Sequence, residues 1–535
     1  MTDNGLLVVN ARIFTSDRRA HYAEALAVER GSFVAVGSIE EIRAASRPDA
    51  DVIDAGGALV TPGFIDAHVH TAMSGLEQLR LNFDDCANAD DAYTAIARYV
   101  ADHPDATWIL GGGWSQAWFD KGCPDAATLD RIVGDRPALI ANTDGHGVWV
   151  NSAALSLAGI DRSTPDPADG RIERLADGSP QGTLHEGARS LVQRHAPPDT
   201  AADFRRGLIR GQAEMHRYGI TGWQEAIVHP EIQAAYLAVA SAGQLEGDVV
   251  GAMWWDRHRG MEQIEELVER RSGSAPGFRP TSVKLMLDGV AENFTASVLD
   301  PYLDATGAET ENRGVDFIDP SDLKEIVVAL DRLGFQCHFH ALGDRAVRNA
   351  LDALQEALHR NGPGDNRHHL AHIQFVHPTD IPRFGELGAI ANAQPLWACN
   401  DDYQLELTKP FISPERYSWQ YPFGSILRAG GRLGMGSDWN VSTANVMAEI
   451  DVAVTRSDGR GEPLGPDEAL SPEQALMAFT SGSAFINHCE HRMGSIEVGK
   501  QADFVVFDRN PLVEGPLRDA HVVGTFRCGR PVYQI

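Results

Sequence analysis

Gly63-Phe-Ile-Asp-Ala-His-Val-His70 decides the fold: an apolar run, entered through Pro62-Gly63, ends in two histidines two positions apart. On a strand, residues i and i+2 face the same way, so both imidazoles can be aimed at one ion from the strand end. Neutral imidazole is a common ligand for zinc and other borderline metals. A His-x-His pair alone is weak, because packed core and surface histidines show the same spacing. Its weight depends on what the rest of the chain supplies.

Working outward, seven further runs read as buried parallel strands: Gly219 to Glu225, Asp248 to Trp254, Ser282 to Leu287, Phe335 to His340, His368 to His372, Ala389 to Gln394 and Arg432 to Asp438. Helix-like apolar spacing follows several of them, as in Ser321 to Leu333 and Asp344 to Leu358. Strand and helix alternate as an α/β fold of the (β/α)8 TIM-like barrel type requires. The gap after the first strand is too long for a helical crossover, so residues 71–210 are expected to hold an inserted subdomain with structural signals of its own at Thr107 to Gly112 and Pro137 to Asn142. Within it, Asp161 to Gly182 is rich in Pro, Gly and Asp and reads as a long exposed loop. Leu6 to Asn10, Ala25 to Glu29 and Phe33 to Val36 share their short-strand texture with Asp503 to Asp508 and Val522 to Phe526. Residues 1–62 and 486–535 are therefore expected to pair as one small β-sandwich domain, with the barrel over 63–485 between them.

Barrel chemistry belongs at strand C-terminal ends. Cys337-His-Phe-His-Ala-Leu-Gly-Asp344 puts His340 at the end of the fifth run, with His338 on the same face one pleat deeper. Arg367-His-His-Leu-Ala-His-Ile-Gln374 offers His372 at the end of the sixth, with His368, His369 and His377 as competitors. Gly434-Met-Gly-Ser-Asp438 ends the eighth in a carboxylate. Each has a bland reading as a packed histidine or an N-capping aspartate; their joint occurrence at strand ends is much harder to explain that way.

Composition narrows the function classes. A net charge of −29 repels phosphate backbones and anionic lipid, so nucleic acid is an unfavoured partner. No segment reaches the roughly 18 to 20 uninterrupted apolar residues of a membrane span. Met1 to Asn4 lacks the basic start of a secretory signal, and six cysteines without a Cys-x-x-Cys pair fit reduced thiols, so a cytoplasmic location is expected.

GFIDAHVH at 63 to 70, TDGHGVWVNSAAL at 143 to 155, VKLMLDG at 283 to 289, HFHALGDRAV at 338 to 347, HIQ at 372 to 374, GSD at 436 to 438 and MGSIEVGKQADFVVFD at 493 to 508 together resemble the amidohydrolase superfamily, in its amidohydrolase-3, YtcJ-like branch. The resemblance implies a distorted (β/α)8 barrel with a β-sandwich built from both chain ends. It implies metal ligands at His68, His70, His340, His372 and Asp438, with Asp438 also the catalytic proton carrier. Lys284 would be a carboxylated lysine bridging two ions, the alternative being an ordinary lysine paired with Asp288 or a substrate carboxylate. The cofactor implied is a divalent metal such as Zn2+, one or two ions. Members of this branch resemble N-substituted formamide deformylases, so the implied activity is hydrolysis of a non-peptide C–N bond in a small molecule. Ring deamination, carbamate or ester hydrolysis on the same metal platform, and a metal-binding protein without catalysis, are the competing readings. Trp114, His146, Trp254, Phe339 and Trp397 are candidate substrate-binding residues, with Trp149, Asn151 and Trp255 beside them, and a homodimer is implied by the family.

Overall fold

The computed structural model describes residues 5–17, 19, 21–45, 49–83 and 85–535. Eight parallel strands form one sheet: β1 (Phe64–Val69), β2 (Ile220–Val228), β3 (Asp248–Trp254), β4 (Phe278–Met286), β5 (Gln336–Ala341), β6 (His369–His372), β7 (Ile390–Ala393) and β8 (Arg432–Met435). The chain visits them in spatial order. The two ends of the sheet meet where β1 and β8 finish: the Asp438 amide donates to the His68 carbonyl at 2.7 Å and the His70 amide to the Trp439 carbonyl at 2.9 Å. Asp66 reinforces that seam, accepting from the Ser437 hydroxyl at 2.6 Å and the His68 amide at 3.0 Å. The strands are buried on both faces, as parallel strands sheathed by helices must be.

Local signals set the helices. Asp319 caps the helix Pro320–Arg332 through the Ser321 amide, with proline in its first turn where a missing N–H costs nothing. The helix Thr71–Glu77 that leaves β1 lies directly on Ala201–Arg217, which leads into β2. Glycine permits that approach: a Cβ on Gly75 would fall 2.0 Å from the Gly207 carbonyl oxygen, and one on Gly211 2.3 Å from that of Thr71.

Between these two helices the chain forms a separate six-stranded sheet running from Leu81–Asn82 to Pro180–Glu186. The stretch Asp161 to Gly182 is not a long loop. Its second half forms a hairpin in which Gly170–Arg174 pairs antiparallel with Pro180–Glu186, and Ile172 is buried opposite Leu184. One apolar side chain anchors the segment, and Pro180 starts its strand, where proline is tolerated.

Both ends of the chain meet in a sandwich. Leu59–Pro62 pairs antiparallel with Phe504–Phe507 inside a six-stranded sheet, and a four-stranded sheet containing Leu6–Val9, Ala25–Glu29 and Ser32–Gly37 packs over it. Val8, Leu26, Val28 and Phe33 from one layer meet Val60, Phe504, Val506 and Phe526 from the other. Among the described residues, no helix is long and apolar enough to cross a membrane.

Candidate functional site

The ends of β1, β5 and β6 and the segment after β8 bring four histidines and one carboxylate together. Asp438 Oδ1 lies 3.2 Å from His68 Nε2 and 2.9 Å from His70 Nε2, while Oδ2 lies 3.8 Å from His372 Nδ1. One ligand-type atom from each of His68, His372 and Asp438 falls within 4.8 Å of the others. The His340 ring is 4.4 Å from that of His372, centroid to centroid. Lys284, on β4, is buried beside them and its charge acts on His68, His340 and His372. Backbone conformation aims these groups: His372 (φ 75°) and Asp438 (φ 52°) both occupy the left-handed region, a costly choice for residues with side chains and one that concentrates at functional sites.

The electrostatics favour ligands over a salt-bridge cluster. Burial, helped by Lys284, pushes His68 down to about 3 against the pull of Asp438, and burial with neighbouring imidazoles holds His340 and His372 well below the ordinary histidine range. These rings are neutral at pH 7 and carry lone pairs. Among the described residues, neither His372 Nδ1 nor Asp438 Oδ1 has an aligned hydrogen bond, and both are buried. Convergent imidazole nitrogens around a carboxylate are what a divalent cation requires, so the residues fit a metal. Burial also lowers the Lys284 amine to about 7, opposed by Asp438, so neutral amine exists there at ordinary pH.

Beneath this layer sits a second one that fixes the first. His68 Nδ1 is 2.7 Å from His338 Nε2, and the His338 ring is 4.2 Å from His369. The Asn392 amide donates to the Ala67 carbonyl at 2.8 Å and to His369 Nδ1 at 3.2 Å, leaving Nε2–H of His369 to donate to Gln224 at 3.0 Å. With His338 accepting from His68 Nδ1–H, the lone pair on His68 Nε2 faces Asp438. His338, one pleat deeper than His340, and His369, paired beside it on the next strand, are therefore supports. Asp288 does not pair with Lys284; it accepts from the backbone amides of Ser297, Leu342 and Gly343 at 2.8 to 3.1 Å.

Above the histidines, His146 from the inserted sheet reaches back over the barrel, its ring 5.4 Å from His340. Its Nδ1 is 2.9 Å from Glu186, which also accepts from the Thr295 hydroxyl at 2.8 Å. Burial works against both charges, but each ion stabilises the other: His146 is raised and Glu186 is held at about 2. Glu186 went unnoticed in the sequence, where nothing marks one glutamate at the end of an inserted strand.

A cavity of about 290 Å3 adjoins this floor, and Trp397 joins the two: it lines the cavity and stacks on the His372 ring at 5.6 Å and 19°. A larger cleft of about 650 Å3 is lined by Arg432, at the start of β8, and by none of the candidate site residues. The other aromatic candidates stand elsewhere. Trp114 is wholly buried in the core of the inserted sheet, its indole N–H on the Ile140 carbonyl at 2.9 Å. Phe339 lies between two inward histidines on β5, so alternation sends it into the barrel–helix core. Trp254 ends β3 half-buried with its ring 5.6 Å from His229, off the cavity lining. Trp149 belongs to the same buried core as Trp114.

Among the described residues, a second grouping of ligand-type atoms joins Cys123, Glu173 and His185 in the insertion. Arg171 lies 2.6 Å from the Glu173 carboxylate and His185 3.2 Å from it, so that charge is already countered without a metal.

Residues 51–533 match the amidohydrolase family. The chain is 28% identical to the LONG AFTER FAR-RED 3 protein of Arabidopsis thaliana, over 99% of this chain and 91% of that one. It is also 28% identical to the N-substituted formamide deformylase of Arthrobacter pascens, over 98% of this chain and 97% of that one. Among solved structures, an uncharacterized metal-dependent hydrolase of Pyrococcus horikoshii OT3 shares the fold, with a TM-score of 0.75 at 22% identity over 97% of this chain and 100% of that one.

Proposed function

Because the chain belongs to the amidohydrolase family, we propose that it hydrolyses a non-peptide C–N bond, in an amide or N-substituted formamide, at the strand-end floor of the barrel. The observation that carries this reading is the convergence of neutral His68 and His372 on Asp438 without aligned hydrogen bonds. The formamide class is suggested by the relative from Arthrobacter pascens.

His68, His70, His340, His372 and Asp438 would hold the metal, with Lys284, once carboxylated, as the bridge to a second ion. Imidazole and carboxylate ligands suit zinc. A bound zinc ion supplies Lewis acidity and lowers the pKa of water from about 15.7 towards 7. Asp438 takes the proton from the attacking water and returns it to the departing nitrogen, which must leave as an amine because an amide anion is far too basic. The water enters the carbonyl carbon as the C–N bond breaks, so an acid and an amine result. His146, kept protonated by Glu186, stands over the floor as a donor to the substrate carbonyl oxygen.

A panel of formamides, acyl amides, carbamates and cyclic amides, assayed on metal-reconstituted protein with product analysis, tests the reaction class. Acid plus amine is the expected outcome; ammonia from a ring, or no metal-dependent turnover across the panel, overturns it. Metal stoichiometry of Lys284→Ala tests the bridge. The reading expects fewer ions per chain and lower activity, whereas unchanged stoichiometry and activity would remove Lys284 from the centre.

A further inference from the structure

The cavity above the floor has an unusual charge. Asp144, from the insertion, Glu292, from the segment after β4, and Asp401, from the segment after β7, all line it, and among the described residues no lysine, arginine or histidine does. The carboxylates sense one another: burial raises Glu292 to about 7, with the charges of Asp144 and Asp401 adding to the rise, and burial raises Asp401 to about 6. Their protein partners are few. Glu292 accepts from the Thr408 hydroxyl at 2.8 Å, Asp401 from the Gln404 amide at 2.9 Å, and Asp144 from Gln116 at 2.8 Å and the His146 amide at 2.7 Å. Two nearby cations are engaged elsewhere: Arg460 pairs with Asp458 at 2.7 Å and Asp402 at 3.7 Å, and Arg189 is buried beside Glu186, donating to its carbonyl at 3.2 Å.

A second observation points the same way. Gln404 also lines the cavity, is only 3% exposed, and its side-chain oxygen has no hydrogen-bond partner among the described residues. A buried acceptor without a donor costs about 1 to 3 kcal/mol, and so marks a place where a donor is missing. Every charged group on the lining, and this orphaned oxygen, asks for a ligand that brings N–H groups and positive charge. The walls between them are largely apolar or aromatic, with Trp397, Tyr403 and Tyr421 among them, alongside the neutral polar side chains of Ser115, Thr143, Gln374 and Ser442. An aromatic-walled pocket with acidic corners suits an organic cation better than a hydrated metal ion, because the walls cover the carbon skeleton and stabilise the charge. The chain's net charge of −29 draws the same kind of ligand from solution.

We propose that this cavity is a subsite for a protonated amine, so that the substrate carries an ammonium group held among Asp144, Glu292, Asp401 and Gln404 while its C–N bond lies on the metal-binding floor. The placement of the bond rests on the hydrolase reading above; the affinity for an ammonium group does not. A substrate with a carboxylate in that position meets like charge and a shortage of donors, and is disfavoured.

Calorimetric titration of the full-length, metal-loaded protein with n-pentylammonium and with 1-pentanol separates charge from shape. The ammonium is expected to bind at least roughly ten-fold more tightly, and that margin is expected to vanish in Glu292→Gln/Asp401→Asn. Equal binding of the two probes by the unaltered protein overturns the proposal, as does a margin that persists in a folded double variant. A catalytic arm compares an N-(ω-aminoalkyl)formamide with the N-alkylformamide of equal length, the first expected to show the higher kcat/KM. Turnover of both with no charge preference overturns the subsite, whereas ammonium-selective binding without turnover of either keeps it and sinks the formamide reading alone.

Discussion

The floor of the site draws its groups from strand ends, each inside a short recognisable motif: His68 and His70 after β1, His340 on β5, His372 on β6 and Asp438 just past β8. The roof draws Glu186, Glu292 and Asp401 from three connecting or inserted segments about a hundred residues apart. The floor is fully buried, lone-pair rich and braced by His338, Asp66 and Asn392; the cavity acids Glu292 and Asp401 are only half-buried and braced by single hydrogen bonds. On the proposed function, the barrel fixes what reaction can occur, and the loops above it decide which molecule undergoes it.

The sharpest way to break that division is His68→Ala, which removes a floor ligand and orphans His338 together. Loss of even an outer partner of a metal ligand costs 10- to 100-fold, so a fall of more than about 100-fold in kcat/KM with reduced bound metal is expected. Full metal content and near-normal turnover would show that the floor is not the reaction centre. A smaller effect is expected at the roof: Glu186→Gln deprives His146 of its counter-ion, and a roughly ten-fold drop in kcat/KM with metal content unchanged would separate the two layers. Loss of metal in that variant would instead make the roof part of the centre.

The smallest effect concerns the layer between the barrel and its helices, where Glu225 on β2 meets Tyr236 of the helix Pro230–Ser241. Burial raises Glu225 to about 8 from 4.5, even though Tyr236 donates to it. Between those values the folded chain holds a proton that the unfolded chain releases, so this residue makes stability fall as pH rises from about 4.5 to about 8. Glu225→Gln should flatten the decline of Tm with pH over that window; an unchanged slope would show that Glu225 does not titrate there.

Much of the floor was legible because strand periodicity and the ends of apolar runs are local properties. Strands were placed within a few residues of their true bounds, and Asp248–Trp254 at both of its ends. The same periodicity held the answer for Phe339, since a residue between two inward histidines must face outward. The roof was not legible. Glu292 and Asp401 lie in segments without regular periodicity, and only the closed barrel brings them to one cavity with Asp144. The hairpin within Asp161 to Gly182 was hidden by its turn-forming composition, which outweighed the lone apolar anchor at Ile172. Trp114 follows three glycines and reads as a candidate substrate-binding residue, yet it packs inward because the insertion needs a core of its own.

Asp438→Asn tests the central claim most directly, with kcat and bound metal measured on one preparation. The amide keeps the shape and one oxygen of the side chain but cannot carry the proton from water to leaving nitrogen. The account predicts retained metal and a loss of at least about two orders of magnitude in kcat. Near-normal kcat with metal in place would contradict it.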